Sequence, residues 1–333
     1  MLHAIDRERF HVIPVGLTRA GAFVLEDDDP DKFTLDPAHL PEVADNGTRI
    51  LWPEAAGERT LRVRRADGTV DDLGPIDVVL PILHGAHGED GTIQGFFDTL
   101  ELPYAGGGVL DSAVCMDKHF MKVALHAAGV PVAEGITVRR GDDDAESVAR
   151  RMGELAFPWF VKPCRAGSSV GVSKVHALGE LDEALRVAFA EDDKVLVERG
   201  VAGREVEVGV LEGRDGAPAR ASLPGEIVLS GREFYDFEGK YLGGDGVEVV
   251  CPAALSDDEI VALREMALRA FAAVDGRGLA RVDFFLTADG PLVNELNTMP
   301  GFTPISMFPK CWIASGMTYP ELISELIDTA LSR

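Results

Sequence analysis

The sequence predicts an α/β protein with more than one domain. Short apolar runs alternate with stretches of helical spacing along the chain, as α/β folds require. The 333 residues, 46% of them hydrophobic, can bury more than one core. The pattern changes near residues 117 and 200, and we therefore predict domains over residues 1–117, 118–200 and 201–333.

The first domain is predicted to hold an open sheet and a long helix. Residues 11–17 and 77–83 are apolar runs typical of buried strands. Residues 111–129 have helical spacing, and Gly129 with the nearby Pro131 marks the end of that helix.

The remaining elements alternate in the same way. The middle of the chain predicts a small α+β unit, with strands over 157–162 and 194–198 and a helix near 180–190. Beyond it, the sequence predicts long strands over 204–211 and 219–228, followed by an irregular segment over 229–246. A helix beginning at Ser256 and a pair of strands from Leu279 complete the chain.

The charge balance excludes several classes of function. The chain has 32 Lys and Arg against 56 Asp and Glu, a net charge of −24 that repels nucleic acid and anionic membranes. No apolar run approaches the roughly 18 residues that a membrane span needs. The first ten residues do not resemble a secretion signal, and we expect a cytoplasmic protein.

A predicted hairpin over residues 281–297 is the most informative stretch. With a loop of about three residues, Asp283 lies opposite Glu295 and Arg281 opposite Asn297, all on one face. Facing carboxylates destabilise a ladder by up to about 1 kcal/mol unless a cation neutralises them. Two carboxylates and an amide oxygen suit Mg²⁺. The alternative, a solvent-facing strand surface, is less favoured because the opposite face supplies the core.

Two glycine-rich segments are further candidates. Lys162 ends a strand and precedes a Gly/Ser turn over 166–171, whose backbone N–H groups suit phosphate. Taken alone, such a turn is more often only a turn. Residues 84–91 follow an apolar strand at the edge where α/β sheets bind ligands. The pair His84 and His87 lacks a third zinc ligand, and the alternative is a plain surface loop.

Aromatic residues over 234–241 lie in a long irregular segment flanked by glycines. This composition is typical of a loop that closes as a lid on a binding site. The alternative is a packed surface loop.

Taken in order, these segments and the stretch 297–312 resemble the D-alanine:D-alanine ligases of the ATP-grasp superfamily. The resemblance covers nearly everything from His11 to the end. It implies a three-domain ATP-grasp fold with an N-terminal open parallel sheet, and it implies a homodimer. It also implies that ATP phosphorylates one D-alanine and that a second attacks the acylphosphate, giving D-alanyl-D-alanine for peptidoglycan.

The resemblance assigns roles position by position. The implied ATP contacts, to phosphates, adenine and ribose, are Lys118, Lys162, Glu198, Glu205 and Lys240. The implied ligands of two Mg²⁺ (or Mn²⁺) ions are Asp283, Glu295 and Asn297. The implied groups around the reacting D-alanines are Arg281 and Gly301 as the oxyanion hole, His84 and Ser306 on the carboxylates, and Ser168 and Tyr241 as lid contacts. The lid resembles the branch that uses D-alanine rather than D-lactate.

The start of the chain departs from the family. Members begin with a strand, a Gly-rich loop and a glutamate for the ammonium of the first D-alanine, whereas residues 1–10 resemble the end of the following helix. We therefore expect a sheet lacking its first strand and a natural protein longer by one β-α unit. The alternatives are a truncated nucleotide-binding homologue without ligase activity, or another ATP-grasp carboxylate-amine ligase. Intact Arg281, Asp283 and Glu295 argue against the first alternative.

Overall fold

The computed structural model of the chain describes residues 1–32, 42–229, 246–303 and 305–333. Its strands and helices confirm the predicted mixed α/β class. The chain divides into two compact units: Met1–Pro81, Gln94–Gly106 and Met317–Arg333 in the first, and Ile82–Ile93 and Gly107–Gly316 in the second. The three-domain boundaries and the missing first strand stay predictions.

The elements are numbered along the chain. The strands are β1 (Val15–Leu17), β2 (Phe23–Leu25), β3 (Arg49–Leu51), β4 (Thr60–Arg64), β5 (Val70–Pro75), β6 (Gly135–Arg139), β7 (Trp159–Pro163), β8 (Ser173–Val175), β9 (Lys194–Arg199), β10 (Arg204–Leu211), β11 (Arg220–Ala221), β12 (Gly225–Leu229), β13 (Val247–Val250), β14 (Leu279–Thr287) and β15 (Gly290–Asn297). The helices are α1 (Thr92–Thr99), α2 (Val109–Met116), α3 (Lys118–Ala127), α4 (Ala145–Met152), α5 (Leu181–Glu191), α6 (Asp257–Ala273), α7 (Met307–Ala314) and α8 (Tyr319–Leu331).

The first unit contains small antiparallel sheets around an aromatic core. β1 pairs with β2, and β3, β4 and β5 form a second sheet in that order. The ring of Trp52 lies 5.4 Å from that of Phe23 and 5.5 Å from that of Phe96, both edge-on. Edge-on aromatic pairs add to the stabilisation that burial alone provides. Within the described ranges, no helix has both the length and the apolar composition needed to cross a membrane.

The expected buried strand over residues 77–83 was wrong. Only Val79 pairs there, in an isolated parallel bridge with Tyr104. The bridge has two hydrogen bonds of 2.8 Å, from Val79 N to the Pro103 carbonyl and from Ala105 N to the Val79 carbonyl. The next donor in a parallel ladder would be residue 81, which is a proline without an N–H group. The ladder therefore ends after one pair.

A four-stranded antiparallel sheet of order β6-β9-β7-β8 belongs to the second unit. Its strands and α5 confirm the α+β elements predicted for the middle of the chain. Trp159 and Val161 of β7 form one core cluster with Leu181 of α5. β9 is buried from Lys194 to Glu198. This strand thus carries two ionisable side chains into the interior, where each needs a partner.

A second sheet of this unit has the order β13-β12-β10-β14-β15, with β11 paired to β10. Valines of β10, including Val206 and Val208, form one core cluster with Leu263 and Ala267 of α6. Because side chains alternate along a strand, the intervening residues of β10 face the other way. That other face of β10, β14 and β15 carries the charged residues of the site.

The helix predicted over 111–129 is two helices, because Asp117 interrupts it. Asp117 has extended backbone angles, and its carboxylate accepts hydrogen bonds from His119 N and Phe120 N, which caps α3. α2 begins after Gly108, without a side-chain cap. The predicted end is confirmed, since α3 stops at Ala127 and Gly129 follows with a φ of 69°. The break places Lys118 at the first turn of α3, instead of mid-helix.

Candidate functional site

The hairpin of β14 and β15 brings the predicted charged residues together. The register pairs Arg281 with Asn297 and Asp283 with Glu295, which confirms the predicted pairing. The turn is one residue shorter than predicted, since Thr287 pairs directly with Gly290. A bulge next to Asp283 takes up the extra residue, Asn294, and restores the register.

Arg281 neutralises two carboxylates on this face. Its Nε and Nη2 donate to the two oxygens of Asp283, each at 2.7 Å. Its Nε also lies 3.0 Å from Oε2 of Glu207. Burial alone would lower the pKa of Arg281, but the charges of Asp283 and Glu207 outweigh it and raise the pKa well above its usual value. The guanidinium therefore stays charged and in a fixed orientation.

Glu207 was missed by the sequence analysis. β10 pairs with β14 so that Glu207 lies opposite Asp283, which itself lies opposite Glu295. Three carboxylates thus form one row across three strands. The alternation of Glu205 and Glu207 with valines was visible in the sequence, but the pairing of β10 with β14 joins distant segments and left no local signal. Glu205 lies on the same face, opposite Phe285.

Lys118 links this row to the Gly/Ser turn. Its Nζ donates to the Ala166 carbonyl at 2.8 Å and lies 3.8 Å from Oε2 of Glu295. Within the turn, Ser168 and Ser169 both have positive φ values, of 54° and 60°. Such conformations cost about 1–3 kcal/mol each in non-glycine residues and cluster at functional sites. The turn is therefore held in a strained shape next to the charged face.

The donor set fits a hydrated, substrate-assisted Mg²⁺ site rather than a protein cage. Among the described residues, no group of three or more His, Cys, Asp and Glu side chains is arranged to hold a metal ion. Asp283 and Glu295 provide carboxylate oxygens, and Asn297 lies beside them, with Nδ2 3.4 Å from Oδ2 of Asp283. Mg²⁺ commonly uses one or two carboxylates and completes its shell with water and substrate phosphates.

A second charged cluster lies on the four-stranded sheet. Oε1 of Glu198 contacts Nζ of Lys162, and Oε2 lies 2.7 Å from Nζ of Lys122. Burial alone would raise the pKa of Glu198, but the two ammonium groups lower it to about 2. The sequence analysis found Lys162 and Glu198 but not Lys122, which lies one helical turn after Lys118 on α3.

The loop over residues 84–91 is folded by its own carboxylates. Gly85 N donates to Glu89 at 2.5 Å, while His87 N and Thr92 N donate to Asp90 at 2.8 and 3.0 Å. Burial and the charge of Glu295 raise the pKa of Glu89, although Arg281 and Lys118 oppose this. Glu89 is thus a further carboxyl group near the charged face.

His84 belongs to the same loop. His84 is an exposed residue. The pKa of its imidazole is nevertheless lowered, first by partial loss of water around the ring and second by the charge of Arg281. The imidazole is therefore neutral near pH 7 and lies within the electrostatic reach of Arg281.

Gly301 and Ser306 lie together after the hairpin. A Cβ atom at Gly301 would come within 2.9 Å of Oγ of Ser306. That hydroxyl lies 2.8 Å from Oγ1 of Thr303 and accepts a hydrogen bond of 3.1 Å from Thr303 N. Ser306 is the N-cap residue of α7, but its side chain does not cap the helix. The hydroxyl is held at the loop rather than on the helix.

Two predicted site residues, Lys240 and Tyr241, lie outside the described residues, as does the whole predicted lid over 234–241. Among the other candidates, the structure groups Arg281, Asp283, Glu295 and Asn297 on one face with Lys118 close by. It places Lys162 with Glu198, and Gly301 with Ser306.

A buried carboxyl group on α2 contacts the segment before β14. Asp111 of α2 is 1% exposed and accepts a hydrogen bond of 3.0 Å from Arg277 N. Its neighbour Ser112 lies 3.5 Å, oxygen to oxygen, from Thr298, which directly follows Asn297. Burial raises the pKa of Asp111 to about 6, although backbone N–H donors oppose the shift.

This pKa predicts a pH-dependent stability. The unfolded chain loses the Asp111 proton near pH 3.9, before the folded protein does near pH 6. The free energy of unfolding therefore falls as the pH rises from about 4 to about 6, by up to about 3 kcal/mol. Asp111→Asn should remove this fall. Urea unfolding of the wild type and of Asp111→Asn at several pH values checks this prediction. The contributions of the other titratable groups cancel in the difference between the two free energies of unfolding. A difference independent of pH would contradict it.

Comparison with known proteins identifies two family models that match the chain. The D-ala D-ala ligase N-terminus model matches residues 1–107, and the D-ala D-ala ligase C-terminus model matches residues 124–328. A D-alanine–D-alanine ligase of Arthrobacter sp. (strain FB24) is 48% identical over 338 residues, covering 100% of this chain and 88% of that relative.

Solved structures agree with this similarity. The D-alanine-D-alanine ligase of Coxiella burnetii has a TM-score of 0.82 and 34% identity, covering 99% of this chain and 87% of that one. The D-alanine–D-alanine ligase of Bacillus anthracis, complexed with ATP, has a TM-score of 0.66 and 29% identity, covering 77% of this chain and 79% of that one.

Proposed function

The chain belongs to the D-alanine–D-alanine ligase family, and on this premise we propose which of its residues perform each step. It is an ATP-dependent enzyme that joins two D-alanines for cell-wall synthesis, and neither alternative function is favoured. The observation that carries the residue assignments is the charged face of β14 and β15, with Arg281 beside Asp283, Glu295 and Asn297.

The nucleotide phosphates are proposed to bind between the two charged clusters. Lys162 and Lys118 contribute ammonium groups, and the strained Gly/Ser turn lies next to Lys118. Glu198 is assigned to the adenine side and Glu205 to the ribose. Lys240 is assigned to the γ-phosphate from the lid. The support for these assignments is the match of each position to the family pattern.

Asp283, Glu295 and Asn297 are proposed to hold two Mg²⁺ or Mn²⁺ ions. When bound, such ions withdraw charge from the phosphate oxygens of the nucleotide. The positive charge of such ions would add to that of Arg281 and Lys118 beside the carboxylate row. Asp283 would then serve both the guanidinium of Arg281 and the metal ions.

The reaction is proposed to pass through an acylphosphate. An oxygen of the first D-alanine's carboxylate attacks the γ-phosphorus of ATP, and ADP leaves. The amine of the second D-alanine then attacks the carbonyl carbon, loses a proton, and expels phosphate. Arg281 and the N–H of Gly301 donate to the oxygen that becomes negative in the tetrahedral intermediate, and such preorganised donors are typically worth about 3 kcal/mol each.

The substrate carboxylates are proposed to meet His84 and Ser306. His84 lies within the electrostatic reach of Arg281, and the hydroxyl of Ser306 lies where a side chain on Gly301 would collide with it. Ser168 and Tyr241 are assigned to lid closure, which would exclude water from the acylphosphate. A homodimer and a cytoplasmic location are also proposed. The first rests on the family resemblance, and the second on the ATP that the reaction consumes.

The activity is tested by phosphate release from the purified chain with ATP and Mg²⁺. D-Alanine, L-alanine, D-lactate with D-alanine, and no amino acid are compared, and products are identified by mass. We expect phosphate and D-alanyl-D-alanine with D-alanine alone. Phosphate release that is independent of D-alanine, or robust D-alanyl-D-lactate formation at neutral pH, would contradict the proposal.

Ser306→Ala tests the assignment of the second substrate. Loss of a hydrogen bond to a charged group costs about 1.5–3 kcal/mol, and we expect KM for the second D-alanine to rise about 10- to 100-fold. KM for ATP should stay unchanged. Ser315→Ala, at the other end of α7, is the matched control and should keep both constants. Equal KM values in the two variants would argue against the assignment.

A further inference from the structure

Lys122 is a charged residue that none of the steps above uses. It lies on α3, its side chain is 11% exposed, and its Nζ is 2.7 Å from Oε2 of Glu198. Lys162 on β7 occupies the other oxygen of the same carboxylate. The side chain of Glu198 is 3% exposed, so water cannot replace either partner. The cluster has two positive charges and one negative charge.

The second ammonium group matters because the proposed function also assigns Lys162 to the phosphates of ATP. If Lys162 serves the phosphates of ATP, it must turn wholly or partly away from Glu198. A buried carboxylate left without a partner is strongly unfavourable, because the interior does not solvate it. With Lys122 in place, Glu198 keeps one ammonium partner at every stage.

Contacts at the start of α3 hold the helix that carries Lys122 against the four-stranded sheet. Asp117 caps α3 and forms an ion pair with Lys194, which lies on the same strand as Glu198. The Nζ of Lys194 lies 4.6 Å from the ring centroid of Phe120, on the first turn of α3. Lys118 N also donates to the Cys164 carbonyl at 3.0 Å. The helix that carries Lys122 is thus fastened to the sheet at its N-terminus.

We propose that Lys122 is a positioning residue that keeps Glu198 neutralised while Lys162 turns to the phosphates of ATP. The proposal rests on the assignment of Lys162 to ATP. It predicts that Lys122 acts on nucleotide binding only through Glu198. Without Lys122, Lys162 is the one cation that the described part of the chain leaves on this buried carboxylate. The nucleotide must then compete with the carboxylate for Lys162.

The test compares Lys122→Met in two backgrounds. In the wild-type background we expect KM for ATP to rise at least 10-fold, with kcat within about 3-fold and KM for D-alanine unchanged. In the Glu198→Gln background the same substitution should change KM for ATP by less than about 2-fold, since no charge is left to neutralise. An equal rise in both backgrounds, or no rise in the first, would overturn the proposal.

The controls separate this proposal from its premise. Arg150→Met breaks an exposed ion pair with Glu146, 3.0 Å long, and should leave KM for ATP unchanged. If Lys122→Met does not fold, Lys122→Gln is compared in the same two backgrounds, with the same results expected. A wild-type chain without D-alanine-dependent phosphate release would remove the proposed function itself. An active wild type with an unaffected Lys122→Met would overturn only the role of Lys122.

Discussion

Arg281→Lys is expected to lower kcat by about 10²- to 10³-fold, the range seen when one preorganised oxyanion donor is lost. Lysine keeps the positive charge but lacks the planar fork that binds both oxygens of Asp283 at 2.7 Å. It therefore cannot neutralise Asp283 and Glu207 and also point a donor at the reacting carbonyl. KM for ATP should change much less than kcat, because the lost interaction forms only in the transition state.

Retaining the charge is what makes this variant informative. Removing it altogether would leave Asp283 and Glu207 buried beside each other, and losing one partner of a buried ion pair costs about 3–5 kcal/mol. Arg281→Lys should instead keep the melting temperature close to that of the wild type. Arg269→Lys is the matched control, since Arg269 is exposed and donates to the backbone carbonyl of Gly129 at 2.9 Å, away from the carboxylate row. A kcat for Arg281→Lys within threefold of this control would contradict the oxyanion role.

The hairpin shows what local pattern can predict. The predicted face was right because side chains alternate along both strands, so that the facing pairs depend only on the register. The turn was predicted one residue too long. The bulge at Asn294 adds one residue to β15 before Glu295, so the predicted pairing of Asp283 with Glu295 still holds. Neither the bulge nor the shorter turn has a signature in residues 281–297 that distinguishes them from the predicted loop.

Residues that depend on long-range pairing were not predictable. Glu207 joins the row only because β10 lies beside β14, and Lys122 joins Glu198 only because α3 lies against β9. The local pattern of a single sequence does not show which distant strands become neighbours. The interruption of the helix at Asp117 was missed for a related reason. Its capping role is local, but its ion pair with Lys194 depends on the fold.

The carboxylate row predicts the second large effect, on metal dependence. Glu295→Gln removes one proposed ligand while leaving the contact between Arg281 and Asp283 in place. Several kcal/mol of charge stabilisation corresponds to about 10²- to 10⁴-fold in rate, and we expect kcat to fall within that range. The Mg²⁺ concentration for half-maximal activity should rise as well. Asp283→Asn should be at least as severe, because it also releases Arg281.

The metal role can be separated from a purely structural one. Asp289→Asn, in the turn of the same hairpin, is the matched control and should keep both kcat and the Mg²⁺ dependence of the wild type. Chelation of divalent ions should abolish wild-type activity, and added Mg²⁺ or Mn²⁺ should restore it. A Glu295→Gln enzyme with lower kcat but an unchanged Mg²⁺ requirement would contradict the ligand role. In that case the row would serve to orient Arg281 and Lys118, which both lie within ion-pair distance of it.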